Sequence, residues 1–223
     1  MIKIDKGEIK SILKTDYDLG NSVLYKLCSD NFTHDTVDKI LAKTLLIGKS
    51  YAVALDRGRH KSKTKSQKKK SIGDDFYQKK IIPIFIKSKI DKLLADLKKH
   101  QTVDNIEKEI LYVHYHLTSR LTKINGEDKR SFSSKYLHFH LPSLFFLYDS
   151  RAKSAIDKIV KLKDIKPGAN KKADGGYKIF FAKAQFLQNK IYKETEINVT
   201  PRQLDNYLLK LANGKLRDKM KTR

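Results

Sequence analysis

The chain has 223 residues, with 48 Lys and Arg against 25 Asp and Glu, a formal net charge of +23 at pH 7. Hydrophobic residues at 39% supply a core for one large or two small domains, and no apolar run approaches the roughly 20 residues of a membrane span. The opening residues, MIKIDKGEIK, lack a continuous apolar segment and the single cysteine, Cys28, excludes an internal disulfide, so the expectation is a cytoplasmic protein that contacts no membrane and needs no cofactor.

Residues 8 to 55 place apolar clusters at helical spacing, with Val37, Ile40, Leu41, Leu45 and Leu46 behind a Thr33/Asp35 capping region, which predicts two helices. The second runs through LLIGKSYAVALDRGR to Gly58, whole or broken at Gly48. The stretch RGRHKSKTKSQKKKS, Arg57 to Ser71, has almost no apolar residue and reads as a basic flexible loop over about 57–74. One or two amphipathic helices follow from Asp75 to about Lys99, interrupted at Pro83. Another spans Asp104 to about Ile124 and is closed by Gly126. A short helix from Ser133 to His140 stops before Pro142, the apolar run LFFLYD leads to Asp149, and Asp149 starts a helix through Ala152, Ile156, Ile159 and Val160. After a loop at 166 to 176, a helix covers Tyr177 to about Lys193. The last opens with Thr200 as N-cap and Pro201 at its first position. Period-2 alternation is missing, so the chain reads as all-α, a single domain over 1–223 whose helical body, in one or two lobes, offers a groove for nucleic acid.

The positive field selects a polyanionic partner, because each Lys or Arg laid on a phosphate releases a counterion. Lys outnumbers Arg heavily, which favours diffuse phosphate contact over bidentate base readout and makes binding salt-sensitive. Double-stranded DNA is the expected partner and a monomer the expected state. Arg57, Arg59 and Arg151 are candidate phosphate clamps; Tyr51, Tyr136, Phe139 and Tyr148 are candidates for stacking on an extruded base.

The densest chemistry lies in KINGEDKRSFSSKYLHFHLPSLFFLYDSRAKSAI, residues 123 to 156: a Gly-containing turn, a short helix beginning near Lys135, an apolar segment, then Asp149 opening the next helix. This order resembles the helix-hairpin-helix DNA glycosylases, and especially their 8-oxoguanine DNA glycosylase branch, over some thirty residues. The resemblance implies that Lys135 is the amine nucleophile and Asp149 the carboxylate that assists it. The sequence departs from the family at the hairpin, where SFSS, Ser131 to Ser134, stands in place of a Gly-rich turn, so hydroxyls such as those of Ser133 and Ser134 would share the phosphate contact with Lys129, Arg130 and His138. An amine at a helix N-terminus beside Lys129 and Arg130 is held partly neutral and so nucleophilic. The expected activity is excision of a damaged or modified base, with or without strand cleavage at the abasic site, in repair or in defence against foreign DNA.

Other readings use fewer residues. A non-catalytic basic helical protein that coats DNA or RNA needs only the charge. A helical ribonuclease with an Arg and a His on one helix would need Arg130 and His138 closer together than they are. The pairs His114/His116 and His138/His140 could hold zinc only on a strand, since residues two apart point about 200° apart on a helix; no metal site is expected.

Overall fold

The computed structural model describes residues 3–14, 18–56, 73–100, 106–168 and 172–214, and among them every regular element is helical. None of the described helices is long and apolar enough to cross a membrane. A short α1 (Lys6–Lys10), which the hydrophobic pattern does not reveal, is capped by Asp5, whose carboxylate accepts from the Glu8 amide at 2.8 Å.

The two helices expected before residue 55 are α2 (Asp18–Asp30) and α3 (Val37–Ser50). Thr36 caps α3, not Thr33 or Asp35. The helix passes intact through Gly48 and ends at Ser50, well short of Gly58. Gly48 suits the turn that follows: an added Cβ would lie 3.1 Å from Ala54 Cα, so any larger residue would push the returning chain outward by a few tenths of an ångström. The basic stretch from Arg57 to Ser71 lies outside the described residues, and with it the expected contacts of Arg57 and Arg59.

Pro83 does not interrupt its helix. α4 (Gly73–Phe76), a π turn over Tyr77–Ile81 and α5 (Ile82–Ile86) run on continuously, and the wide turn before Pro83 accommodates its ring and missing N–H. The break comes at Lys87–Lys89, before α6 (Ile90–Lys99). α7 (Glu107–Thr122) closes as expected at Gly126, which takes φ 74° and donates its N–H to the Thr122 carbonyl at 2.8 Å.

α8 (Arg130–His140) begins three residues before the expected start and is buried on every side from Phe132 onward, against α2, α3 and α7. It is the central helix, yet it carries Ser133, Ser134, Lys135, His138 and His140 into the core. Each buried polar group must find a partner or cost about 1–3 kcal/mol, and these partners build the site. α9 (Ser150–Ile159), α10 (Gly175–Thr195) and α11 (Pro201–Ala212) complete the body, α9 lying against both α10 and α11. The Thr200/Pro201 start is as the sequence expects, with a capping box to Gln203.

Candidate active site

Lys135 and Asp149, fourteen residues apart, meet where α8 passes the N-terminus of α9. Lys135 Nζ stands 3.8 Å from Asp149 Oδ2, donates to the Tyr148 carbonyl at 2.8 Å and to Ser131 Oγ at 3.0 Å, and only 4% of its side chain is exposed. Asp149 caps α9, its Oδ1 accepting from the Ala152 amide at 2.8 Å. Its second oxygen faces the amine, and with 23% of its side chain exposed it forms the solvent side of the pair.

The amine is held below its ordinary pKa, for a reason other than the one expected. Lys135 lies in the second turn of α8, not at its start, so the helix N-terminus does not bear on it. Burial disfavours the ammonium, Asp149 and Asp205 oppose that, and the guanidinium groups of Arg202 and Arg151 add to it. Lys129 and Arg130 act elsewhere: Lys129 is buried in an ion pair with Glu127 at 3.1 Å, and Arg130 grips Asp174 through Nε at 2.5 Å and Nη2 at 2.9 Å while also meeting Asp128. Gly176 leaves room for this grip, since a Cβ there would meet the Arg130 guanidinium at 2.7 Å. Both cations are therefore neutralised by carboxylates and neither is a free phosphate clamp.

The SFSS segment is helical and turned inward, which corrects its expected role. Ser133 and Ser134 are fully buried. Ser134 Oγ accepts from the Tyr148 amide at 3.0 Å and Ser131 Oγ donates to the Tyr148 carbonyl at 3.0 Å, so these hydroxyls seat the strand-like segment 145–149 against α8 instead of facing a duplex. His138 is also fully buried: its Nδ1–H donates to the Phe145 carbonyl at 2.8 Å and its Nε2 accepts from the Tyr25 hydroxyl at 2.7 Å. Burial drives its pKa down to about 3, so the ring stays neutral and is not presented to solvent as the expected DNA contact would need. Tyr136 and Phe139 are buried as well, which removes them as stacking candidates in this fold. Tyr51 and Tyr148 remain half-exposed, Tyr148 beneath the Arg130 guanidinium at 5.3 Å. Arg151 is exposed two residues past Asp149 and, with Ser150, Ser154 and Lys158, borders a groove of about 210 Å³ between α9 and α11.

Three residues of the neighbourhood escape the sequence reading: Tyr25 on α2, and Arg202 and Asp205 on α11. Arg202 Nη1 donates to Asp205 Oδ2 at 3.1 Å, its Nε donates to the Tyr25 hydroxyl at 3.4 Å, and its guanidinium lies 5.2 Å from the Tyr51 ring and 5.7 Å from Phe139. A one-way chain results: Arg202 donates to Tyr25, Tyr25 to His138, and His138 to a carbonyl. Burial raises the Asp205 pKa to about 6, and the charges of Arg202, Asp149, Lys135 and Arg151 all act on it. The signal for it was an Arg and an Asp three apart, at 202 and 205, on a helix whose stripe is otherwise Leu204, Tyr207, Leu208 and Leu211.

Lys43, also buried, belongs to the scaffold. It donates to the carbonyls of Asn31 at 2.6 Å and Thr33 at 2.8 Å and to His140 Nε2 at 3.3 Å. Next to it His34 bridges Asp91 and the Tyr136 hydroxyl. Of the other imidazoles, His114 stacks on Tyr177 at 3.6 Å and His116 accepts from Arg120. Among the described residues no three His, Cys, Asp or Glu side chains are grouped to hold a metal ion. Comparison of the chain with protein-family models, curated proteins and solved structures finds no match.

Proposed function

We propose that this protein is a DNA glycosylase, with lyase activity at the resulting abasic site, that takes a damaged or modified base out of duplex DNA. The observation that carries the reading is the convergence of Lys135 and Asp149 at 3.8 Å, the amine desolvated and the carboxylate facing solvent, in a chain of net charge +23. Arg151 and Lys158 along the adjoining groove supply cations for the backbone on either side of an extruded nucleotide.

Burial favours the neutral amine, whose lone pair attacks C1′ of the deoxyribose. The bond between C1′ and the base nitrogen breaks, and the base leaves with the bonding pair and takes up a proton. Asp149 stabilises the positive charge that develops on the sugar and receives the proton released by the attacking nitrogen. The C1′–O4′ bond then breaks, O4′ takes up the proton held by Asp149, and a protonated Schiff base between Lys135 and C1′ remains. Loss of a C2′ proton then expels the 3′ phosphate, and water hydrolyses the imine to restore the amine.

The test is base release from duplexes that each carry one 8-oxoguanine, uracil or 5-hydroxymethylcytosine, with binding followed across salt concentrations. The expected result is release of at least one base by the native protein and none by Lys135→Gln, with binding retained. Salt-sensitive binding without release of any base, alike for both proteins, would instead favour a non-catalytic nucleic-acid-binding protein.

A further inference from the structure

Among the described residues near Lys135 and Asp149, Ser133 Oγ on α8 and two atoms that lie together on α11 are buried without a hydrogen-bond partner. Arg202 Nη2 and Asp205 Oδ1 are both buried and have no hydrogen-bond partner among the described residues. Of the neighbouring atoms, Arg202 Nη1 donates to Asp205 Oδ2, Arg202 Nε donates to the Tyr25 hydroxyl, and the Tyr51 hydroxyl also lies within reach of the guanidinium. A buried donor and a buried acceptor left open cost about 1–3 kcal/mol each, and such groups call for a ligand, strain or ordered water to account for them.

Their surroundings point to a ligand. Arg202 is fixed in place by the chain running through Tyr25 and His138 to the Phe145 carbonyl, so its open N–H is held in a set direction. The guanidinium lies over the Tyr51 ring, and both Tyr51 and Tyr25 are only partly buried, so the aromatic rim around the pair reaches solvent. The pair also shares its electrostatic neighbourhood with Lys135 and Asp149.

We infer that Arg202 and Asp205 form the base-reading edge of this site, Arg202 Nη2 donating to an acceptor and Asp205 Oδ1 accepting from an adjacent N–H of an extruded nucleobase. The ligand class follows from the pair itself. A phosphate would satisfy Arg202 but be repelled by the carboxylate 3.1 Å from Nη1, and a free cation would meet the reverse conflict. An uncharged heterocycle with a donor next to an acceptor satisfies both, and the neighbouring tyrosine rings suit its planar faces. A site built to hydrogen-bond a substrate rejects analogues that leave its polar groups open, so this edge sets which bases are taken.

This inference rests on the glycosylase reading, and the experiment separates the two. Rates of base excision and of borohydride trapping at a ready-made abasic site are measured for the native protein, Arg202→Lys and Asp205→Asn, using duplexes bearing 8-oxoguanine, uracil, 5-hydroxymethylcytosine or an abasic site. An abasic site has no base to read. The ratio of excision to trapping should therefore fall about 10- to 100-fold in each variant, the loss of one hydrogen bond to a buried polar partner. An unchanged ratio, whether both rates persist or both collapse through misfolding, overturns the base-reading role. A native protein that traps at the abasic site but excises no base in the panel also overturns it while leaving the amine chemistry standing. Failure of the native protein to trap at all overturns the glycosylase reading and this inference with it.

Discussion

Replacing Lys43 and Lys135, two of the four buried lysines among the described residues, by methionine separates what holds the fold from what serves the site. The Lys43 amine satisfies three acceptors, the Asn31 and Thr33 carbonyls and His140 Nε2. Methionine keeps the chain length and leaves all three open, at about 2 kcal/mol each. Against this, burial pushes the Lys43 pKa down from 10.5 to about 8, so at pH 7 the native ammonium carries a desolvation penalty of about 3 kcal/mol that methionine removes. The expected net loss is about 3 kcal/mol at pH 7. Lys135→Met orphans nothing: the Tyr148 carbonyl keeps the Ser131 hydroxyl at 3.0 Å, and Asp149 keeps the Ala152 amide and its solvent face. Its stability should stay within about 1 kcal/mol of native. Urea unfolding of the three proteins, read from midpoints at a common slope, measures both. The sign of the pH dependence is fixed too. Between about 8 and 10.5 the unfolded chain binds the proton at Lys43 that the folded chain has lost, so the native protein gains stability relative to Lys43→Met as pH rises, and the gap widens from about 3 to about 6 kcal/mol. A Lys135→Met protein no more stable than Lys43→Met, or a gap that narrows with rising pH, would refute the reasoning.

Arg130→Gln should leave the salt dependence of DNA binding unchanged, because Asp174 and Asp128 already neutralise its charge, while lowering stability by about 2 kcal/mol through the lost paired hydrogen bonds; Arg151→Gln, at an exposed cation, should reduce the slope of log affinity against log salt by about 1 with the fold intact. Filter binding across a salt series and urea unfolding read these out. Asp149→Asn keeps a residue able to cap α9 and should melt near the native protein, whereas Asp149→Ala should lose about 1 kcal/mol; both should slow trapping at an abasic site by about 100-fold, since both lack the carboxylate. Glu196 ends α10 at φ 62°, in the left-handed region, so Glu196→Gly should raise the urea midpoint by an amount equivalent to about 1 kcal/mol.

The elements that declare themselves through local chemistry are legible in the sequence. Thr200-Pro201 announces α11, Asp149 announces α9, and Gly126 closes α7, because caps and left-handed glycines act within a few residues. Pro83 misled for the complementary reason: a π turn gives it a role that a propensity does not contain, just as the end of α3 at Ser50 is set by a chain reversal that brings Ala54 against Gly48. α8 is the instructive element. Its polar residues read as a surface facing DNA, yet a central helix buries them, and their partners come from α2, α3 and the segment 145–149. The proximity of Lys135 and Asp149 is legible because only fourteen residues of chain separate them. Arg202 and Tyr25, 177 residues apart, meet only through the tertiary fold, and no local signal joins them.

Borohydride reduction of the protein on a duplex with one abasic site, followed by peptide mapping of the adduct, shows whether Lys135 is the nucleophile. A single covalent link at Lys135 is expected, absent from Lys135→Gln although that variant still binds the duplex. No adduct, or one that persists in Lys135→Gln at another amine, would contradict it.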